Sequence, residues 1–161
     1  MNNVNSILVP VDLGPSTERI LTAAGKIAES MDSTVSVMHV LQPVPSIPLA
    51  AGQMAPEVTD GFNIPVYQKT IEDRARSAME EMVGRTIPEN RVSSMQVKIG
   101  SVGSTILDEC SRGDYDLVIV DSGEDRDLAT RLFGSVADKV VKNAPMPVLV
   151  LRGRKEEHKE K

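Results

Sequence analysis

The stretch that decides the fold is Val118-Ile119-Val120-Asp121-Ser122-Gly123-Glu124-Asp125-Arg126-Asp127-Leu128-Ala129-Thr130-Arg131-Leu132-Phe133-Gly134-Ser135-Val136-Ala137-Asp138. It opens as a β-branched apolar run, passes through a charged loop and closes on a helix start. A short run that is apolar throughout, rather than alternating, marks a strand buried on both faces. In an open α/β sheet, loops of this strand-to-helix kind line the ligand crevice at the carboxyl ends of the strands. The far end carries Ser135 and Asp138 in an S-x-x-D pattern, which predicts a capping box on the helix that follows.

The same strand-to-helix step recurs along the chain. Ile7-Leu8-Val9-Pro10-Val11-Asp12 reads as the first strand, and Gly14-Pro15 as the cap and first residue of a helix. That helix places Ile20, Leu21, Ala24, Ile27, Ala28 and Met31 on one face, with Glu18, Arg19, Lys26 and Glu29 elsewhere. Thr34 to Val40 reads as a second strand, and Tyr67 to Thr86 as an amphipathic helix. Arg91 to Ile99 reads as a third strand, and Gly100 to Gly103 as a turn. A short helix follows, with Val102, Ile106, Leu107 and Cys110 on its apolar face. Tyr115 to Val120 is the fourth strand. The capped helix buries Val136, Val140, Val141 and Ala144, stops at Asn143-Ala144-Pro145, and leads into a fifth strand at Met146 to Leu151. Alternating strands and helices imply a parallel sheet with helices on both faces, a doubly wound three-layer α/β domain of flavodoxin type. The domain is expected to span 1–152, with a Pro-rich loop at about 41–66 and a charged tail at 153–161.

Composition narrows the function classes. The 161 residues carry a net charge of −5, which argues against a general nucleic-acid binder or an anionic-membrane binder. No apolar run approaches the roughly 20 residues that span a bilayer. The Met1-Asn2-Asn3-Val4-Asn5-Ser6 start lacks the basic and apolar regions of a secretory signal, and Cys110 is the single cysteine. A cytoplasmic protein is expected. His39 within a strand and Cys110 on an apolar helix face read as packed residues rather than ligand or nucleophile.

The ordered set of segments resembles the universal stress protein family over about Ser6 to Arg152. The strongest matches are Gly134-Ser135-Val136-Ala137-Asp138-Lys139-Val140 and Ala144-Pro145-Met146-Pro147-Val148-Leu149-Val150. The opening strand, His39-Val40, Gly100 with Ile106-Leu107, and Asp116 to Val120 support them. The resemblance implies a five-stranded parallel sheet of order 3-2-1-4-5, of the adenine-nucleotide-hydrolase-like kind. It further implies a cytoplasmic homodimer paired through the last strand, and a regulatory stress-response role rather than catalysis. The dimer has a physical argument of its own. Val148, Leu149, Val150 and Leu151 form an apolar edge without a protecting charge, and such edges are paired or covered. A covering tail is the other resolution.

The resemblance also implies a nucleotide site. ATP-binding members carry a glycine, two residues, a glycine, nine residues, then glycine and Ser or Thr. Here Gly134-Ser135 supplies the final pair, but Asp121 and Glu124 stand at the two glycine positions, with Gly123 out of register. Glycines let backbone N–H groups close around phosphates, and carboxylates repel them. A unit-charge pair at about 5 Å and an effective dielectric of about 20 costs on the order of 3 kcal/mol. Asp121, Glu124, Asp125 and Asp127 face only Arg126 and Arg131 as counter-charges in this loop. The candidate contacts for an adenine nucleotide are Pro10, Asp12, Val40, Val120, Gly134, Ser135 and Val136. For Asp12 the competing role is support of the loop before the first helix; for Ser135 it is the helix cap.

The expectation is therefore a regulatory, homodimeric, non-enzymatic member with weak or absent ATP binding, requiring no cofactor or metal. An ATP- or AMP-binding switch is the alternative. A slow ATP hydrolase lacks a nameable general base or metal triad. A receiver-type phosphoacceptor would want a Lys near the fifth strand and an Asp closing the third, and neither is present.

Overall fold

The computed structural model describes residues 3–43, 64–123 and 134–152. The element order is β1 Ser6–Val11, α1 Thr17–Met31, β2 Thr34–Leu41, α2 Ile64–Thr86, β3 Val92–Ile99, α3 Val102–Arg112, β4 Leu117–Asp121, α4 Ser135–Asn143 and β5 Val148–Leu151, with a 3-10 turn at Glu89–Arg91 before β3. The five strands lie in the order β3-β2-β1-β4-β5 and every neighbouring pair is parallel, as the alternation of elements and the resemblance implied.

The strands are apolar throughout because each serves two cores. Successive side chains of a strand point to opposite faces. Ile7, Val9, Val35, Val37 and Ile119 pack with Ile20, Leu21, Ala24 and Ala28 of α1 and Met79 and Val83 of α2. Leu8, Met38, Val40, Val118 and Val120 pack on the other face with Ile106 and Cys110 of α3 and Ala137 and Val140 of α4. Leu8, Val9 and Val118 are completely inaccessible, as is Met79, which fills core as a methionine commonly does. Burial of a Leu or Val of this kind stabilises by about 1.5–3 kcal/mol.

Several boundaries move from their sequence positions, some of them because a side chain captures backbone. The first strand ends at Val11, and α1 begins at Thr17 with Ser16 in the cap position, not Gly14. The Asp12 carboxylate accepts the Gly14 N–H at 2.8 Å, and the Thr17 N–H reaches the Gly14 carbonyl at 3.1 Å, so the Gly14-Pro15 segment is a turn ahead of the helix. β4 omits Tyr115 and Asp116, because Asp116 Oδ2 accepts the N–H groups of Asn5 and Ser6 at 2.9 and 3.1 Å. α2 starts at Ile64, ahead of Tyr67, and takes Pro65 into its first turn, where a missing N–H is tolerated. Val102 and Gly103 belong to α3 rather than to the turn before it. Met31 and Val141, expected on buried faces, are 47% and 41% exposed. The Pro-rich segment from 44 to 63 and the tail from 153 to 161 lie outside the described residues.

Candidate functional site

The crevice follows from how β1 meets β4. These strands pair only at Ile7 with Leu117 and Leu8 with Val118, whereas β4 stays paired with β5 through Asp121. Beyond Leu8, β1 has β2 alone as a partner. A strand with one open side tolerates a residue without an N–H, and Pro10 occupies that stretch. This is also where the sheet order reverses, the topological switch point at which α/β folds place ligands. A cavity of about 510 Å³ opens there. Pro10, Asp12, Val40, Val120, Gly134, Ser135 and Val136 all line it, joined by Val11, Met38 and Leu41.

Asp12 sits on one rim. Its Oδ1 accepts the Gly14 N–H at 2.8 Å and the Thr17 hydroxyl at 3.2 Å. The structure shows Asp12 supporting the loop before α1, and the residue also lines the cavity. Asp121 closes β4 at the cavity rim. Its Oδ2 accepts the Ser16 hydroxyl at 2.5 Å, and its Oδ1 lies 3.3 Å from the Gly123 N–H and 3.5 Å from Arg19 Nη2. Arg19, half-exposed on α1, is thus turned towards the rim and not simply into solvent. Glu124, Asp125, Arg126, Asp127 and Arg131 lie outside the described residues, so the counter-charge that the structure places beside Asp121 is Arg19.

The described ends of the β4-to-α4 connection meet at the cavity mouth. The Gly134 N–H donates to the Ser122 carbonyl at 2.7 Å. Gly123 has φ +87°, a conformation glycine adopts without penalty, and a Cβ there would stand 3.5 Å from the Gly134 Cα. The expected capping box does not form. The cap residue is Gly134, no side chain caps α4, and Ser135 is its first helical residue. A side-chain cap has to come from the residue before the first helical one. Asp138 instead pairs with Lys142 one turn on, at 2.8 Å, while its N–H bonds the Gly134 carbonyl at 2.9 Å. Ser135 is thereby left exposed on the cavity wall.

His39 is a packed strand residue, 9% exposed, whose Nδ1–H donates to the Val11 carbonyl at 2.8 Å. It also borders the cavity, which its position inside a strand did not suggest. Cys110 is buried, and that burial pushes its thiol pKa up, as suits an inert core residue. A second polar cluster lies away from the crevice. Glu109 on α3 bonds Lys98 of β3 and accepts the Tyr115 hydroxyl at 2.7 Å, with Gln96 Nε2 at 3.4 Å. Burial alone would raise the Glu109 pKa, but the bonds from Lys98 and Tyr115 and the Lys98 charge hold it below its ordinary value. Burial and the Glu109 carboxylate push Tyr115 up to about 12.

With this architecture in place, comparison with known proteins is decisive. Residues 3–152 match the Universal stress protein family. The chain belongs to that family. Universal stress protein A homolog 1 of Coxiella burnetii is 27% identical over 149 residues, covering 90% of this chain and 94% of the relative. The fold is similar to that of universal stress protein UspA from Lactobacillus plantarum, with a TM-score of 0.67, 22% identity, and 94% and 100% of the two chains covered. It is also similar to a universal stress protein solved in complex with cAMP, with a TM-score of 0.60, 18% identity, and 94% and 98% covered.

In this universal stress protein, sequence reasoning missed Ser16, Arg19 and the engagement of Gly123. Ser16 and Arg19 lie 105 and 102 residues from the carboxylate they meet, so no local spacing signals the contact. A hydroxyl and a guanidinium in the first turn after a β-α loop were the available clue. Among the described residues, no helix is long and apolar enough to cross a membrane.

Proposed function

We propose that this is a regulatory, cytoplasmic universal stress protein that acts by binding rather than by turnover, with weak or absent affinity for ATP. The observation that carries this reading is the state of Asp121. It stands where ATP-binding members would have the first motif glycine, and its carboxylate engages Ser16, Gly123 and Arg19 at the cavity rim. A triphosphate entering there meets a tethered negative charge in place of a backbone that can close around it. Calorimetric titration with ATP and magnesium tests this. No saturable binding below millimolar ATP is expected, and micromolar affinity overturns the reading.

The second reading, an adenine-nucleotide switch, draws on the cavity itself. The residues expected to contact such a ligand all line one crevice of suitable size, and a similar fold has been solved with cAMP. The same titration decides between the two.

The proposed assembly is a homodimer through β5. That strand is one of the two outer strands of the sheet, with Leu149 36% exposed, and Val141 on α4 is 41% exposed. An apolar edge of this kind is resolved by pairing with a second copy. Leu149→Lys should convert the protein to monomer in light scattering; an unchanged mass sinks the edge-pairing model.

A further inference from the structure

We propose that Asp121 stands in for a ligand phosphate, so that this crevice takes a phosphate-free, N–H-bearing heterocycle of nucleoside size in preference to a nucleotide. This rests on the crevice being a ligand site with low affinity for ATP, and names the class of ligand it accepts instead.

The donors at the Asp121 rim are a hydroxyl, a guanidinium and a backbone N–H, from Ser16, Arg19 and Gly123. These are the groups with which proteins hold phosphates. Here all of them converge on one side-chain carboxylate. That carboxylate is fixed to β4, so it occupies its donors without the entropy loss that a free anion incurs on binding. A phosphate can take the same donors only by displacing Asp121, and it then shares the rim with the displaced charge. A neutral or cationic ligand meets neither obstacle. Such a ligand can also use what the rest of the cavity offers. Pro10, Val11, Met38, Val40, Val120 and Val136 supply apolar walls for a flat ring. Asp12 uses only Oδ1 to hold its turn, and its Oδ2 has no donor among the described residues. A carboxylate oxygen accepts hydrogen bonds, so it selects a ligand that presents N–H or O–H there. The volume of about 510 Å³ falls within the range of small-ligand sites.

Adenosine, AMP and ATP with magnesium form a probe series with one base and rising negative charge. Each is titrated calorimetrically into the full chain, Asp121→Asn, Asp121→Gly and Asp12→Asn. The unaltered chain should bind adenosine at least about tenfold tighter than AMP. Asp121→Gly should tighten AMP by about tenfold or more while leaving adenosine within about threefold, because Arg19 and Ser16 are released to the phosphate. Asp121→Asn keeps the shape and loses the charge, so it should move AMP in the same direction by less. Asp12→Asn should weaken adenosine. Retained adenosine binding by the Asp121 variants shows that they are folded. Equal affinity of the unaltered chain for adenosine and AMP overturns the proposal, as does an Asp121→Gly protein with unchanged AMP affinity. If the unaltered chain binds neither adenosine nor ATP, this inference fails while the low-ATP reading stands. Micromolar ATP binding fails both.

Discussion

Two carboxylates in this molecule keep nearly the same company in different settings. Glu109 is met by a lysine, a tyrosine hydroxyl and an amide; Asp121 is met by an arginine, a serine hydroxyl and a backbone N–H. The Glu109 side chain is 9% exposed in the seam between α3 and β3, whereas that of Asp121 is 21% exposed at the mouth of a cavity. Water can replace the partners of a carboxylate only if it can reach it. The first cluster therefore acts as a clamp on the edge strand, and the second lies open at the rim of the cavity. Donor identity does not separate the two clusters; access to a cavity does.

The sharpest way to break this contrast is to delete each carboxylate. Glu109→Ala leaves Lys98 and Tyr115 partly buried without their acceptor and should cost about 2 kcal/mol in urea unfolding. Asp121→Ala releases its partners to water and should cost less than about 1 kcal/mol. Equal losses would erase the distinction.

A pH series sharpens it further. The folded-state pKa of Tyr115 lies above its ordinary value, at about 12 against 10, so its contribution is fully present below pH 10 and lost as pH rises towards 12. The parent should lose about 1 kcal/mol over that interval, after allowance for solvent screening, relative to Tyr115→Phe. At the acid end the sign reverses. The Glu109 pKa is held below 4.5, so its stabilisation is present above that value and is lost as pH falls through the depressed one. Glu109→Gln should flatten the acid limb of the unfolding curve.

Two smaller effects concern the rim. Gly123→Ala imposes a side chain on φ +87° and should cost about 1 kcal/mol, measured as a lowered melting temperature. Arg19→Ala removes an ion pair of 3.5 Å from a half-exposed side chain and should change stability by only a few tenths of a kcal/mol. A loss as large as that of Glu109→Ala would mean that the rim is a clamp after all.

Asp12, Asp116 and Asp138 all carry carboxylates whose preferred partner is set by what comes within reach. Asp12 bonds the turn after β1, Asp116 the backbone of another strand, and Asp138 a lysine one turn on instead of a cap. The apolar runs are legible in the sequence because their period is a local property. Ile7 to Val9 and Val118 to Val120 are buried wherever a sheet has helices on both sides.

The amino-acid sequence by itself determined the alternation of strands and helices, and therefore the parallel two-cored sheet, because hydrophobic spacing is encoded between neighbours and burial dominates folding. The resemblance to the family, carried by motifs such as Gly134-Ser135, named the candidate contacts from Pro10 to Val136, and strand ends at a switch point are where such contacts gather. What only the tertiary structure decided is how the rim of the crevice is filled. Ser16 and Arg19 are brought to Asp121 by the packing of α1 beside β4, across more than a hundred residues of chain. Hydrogen bonds of that range depend on three-dimensional proximity, and no pattern of neighbouring residues announces them.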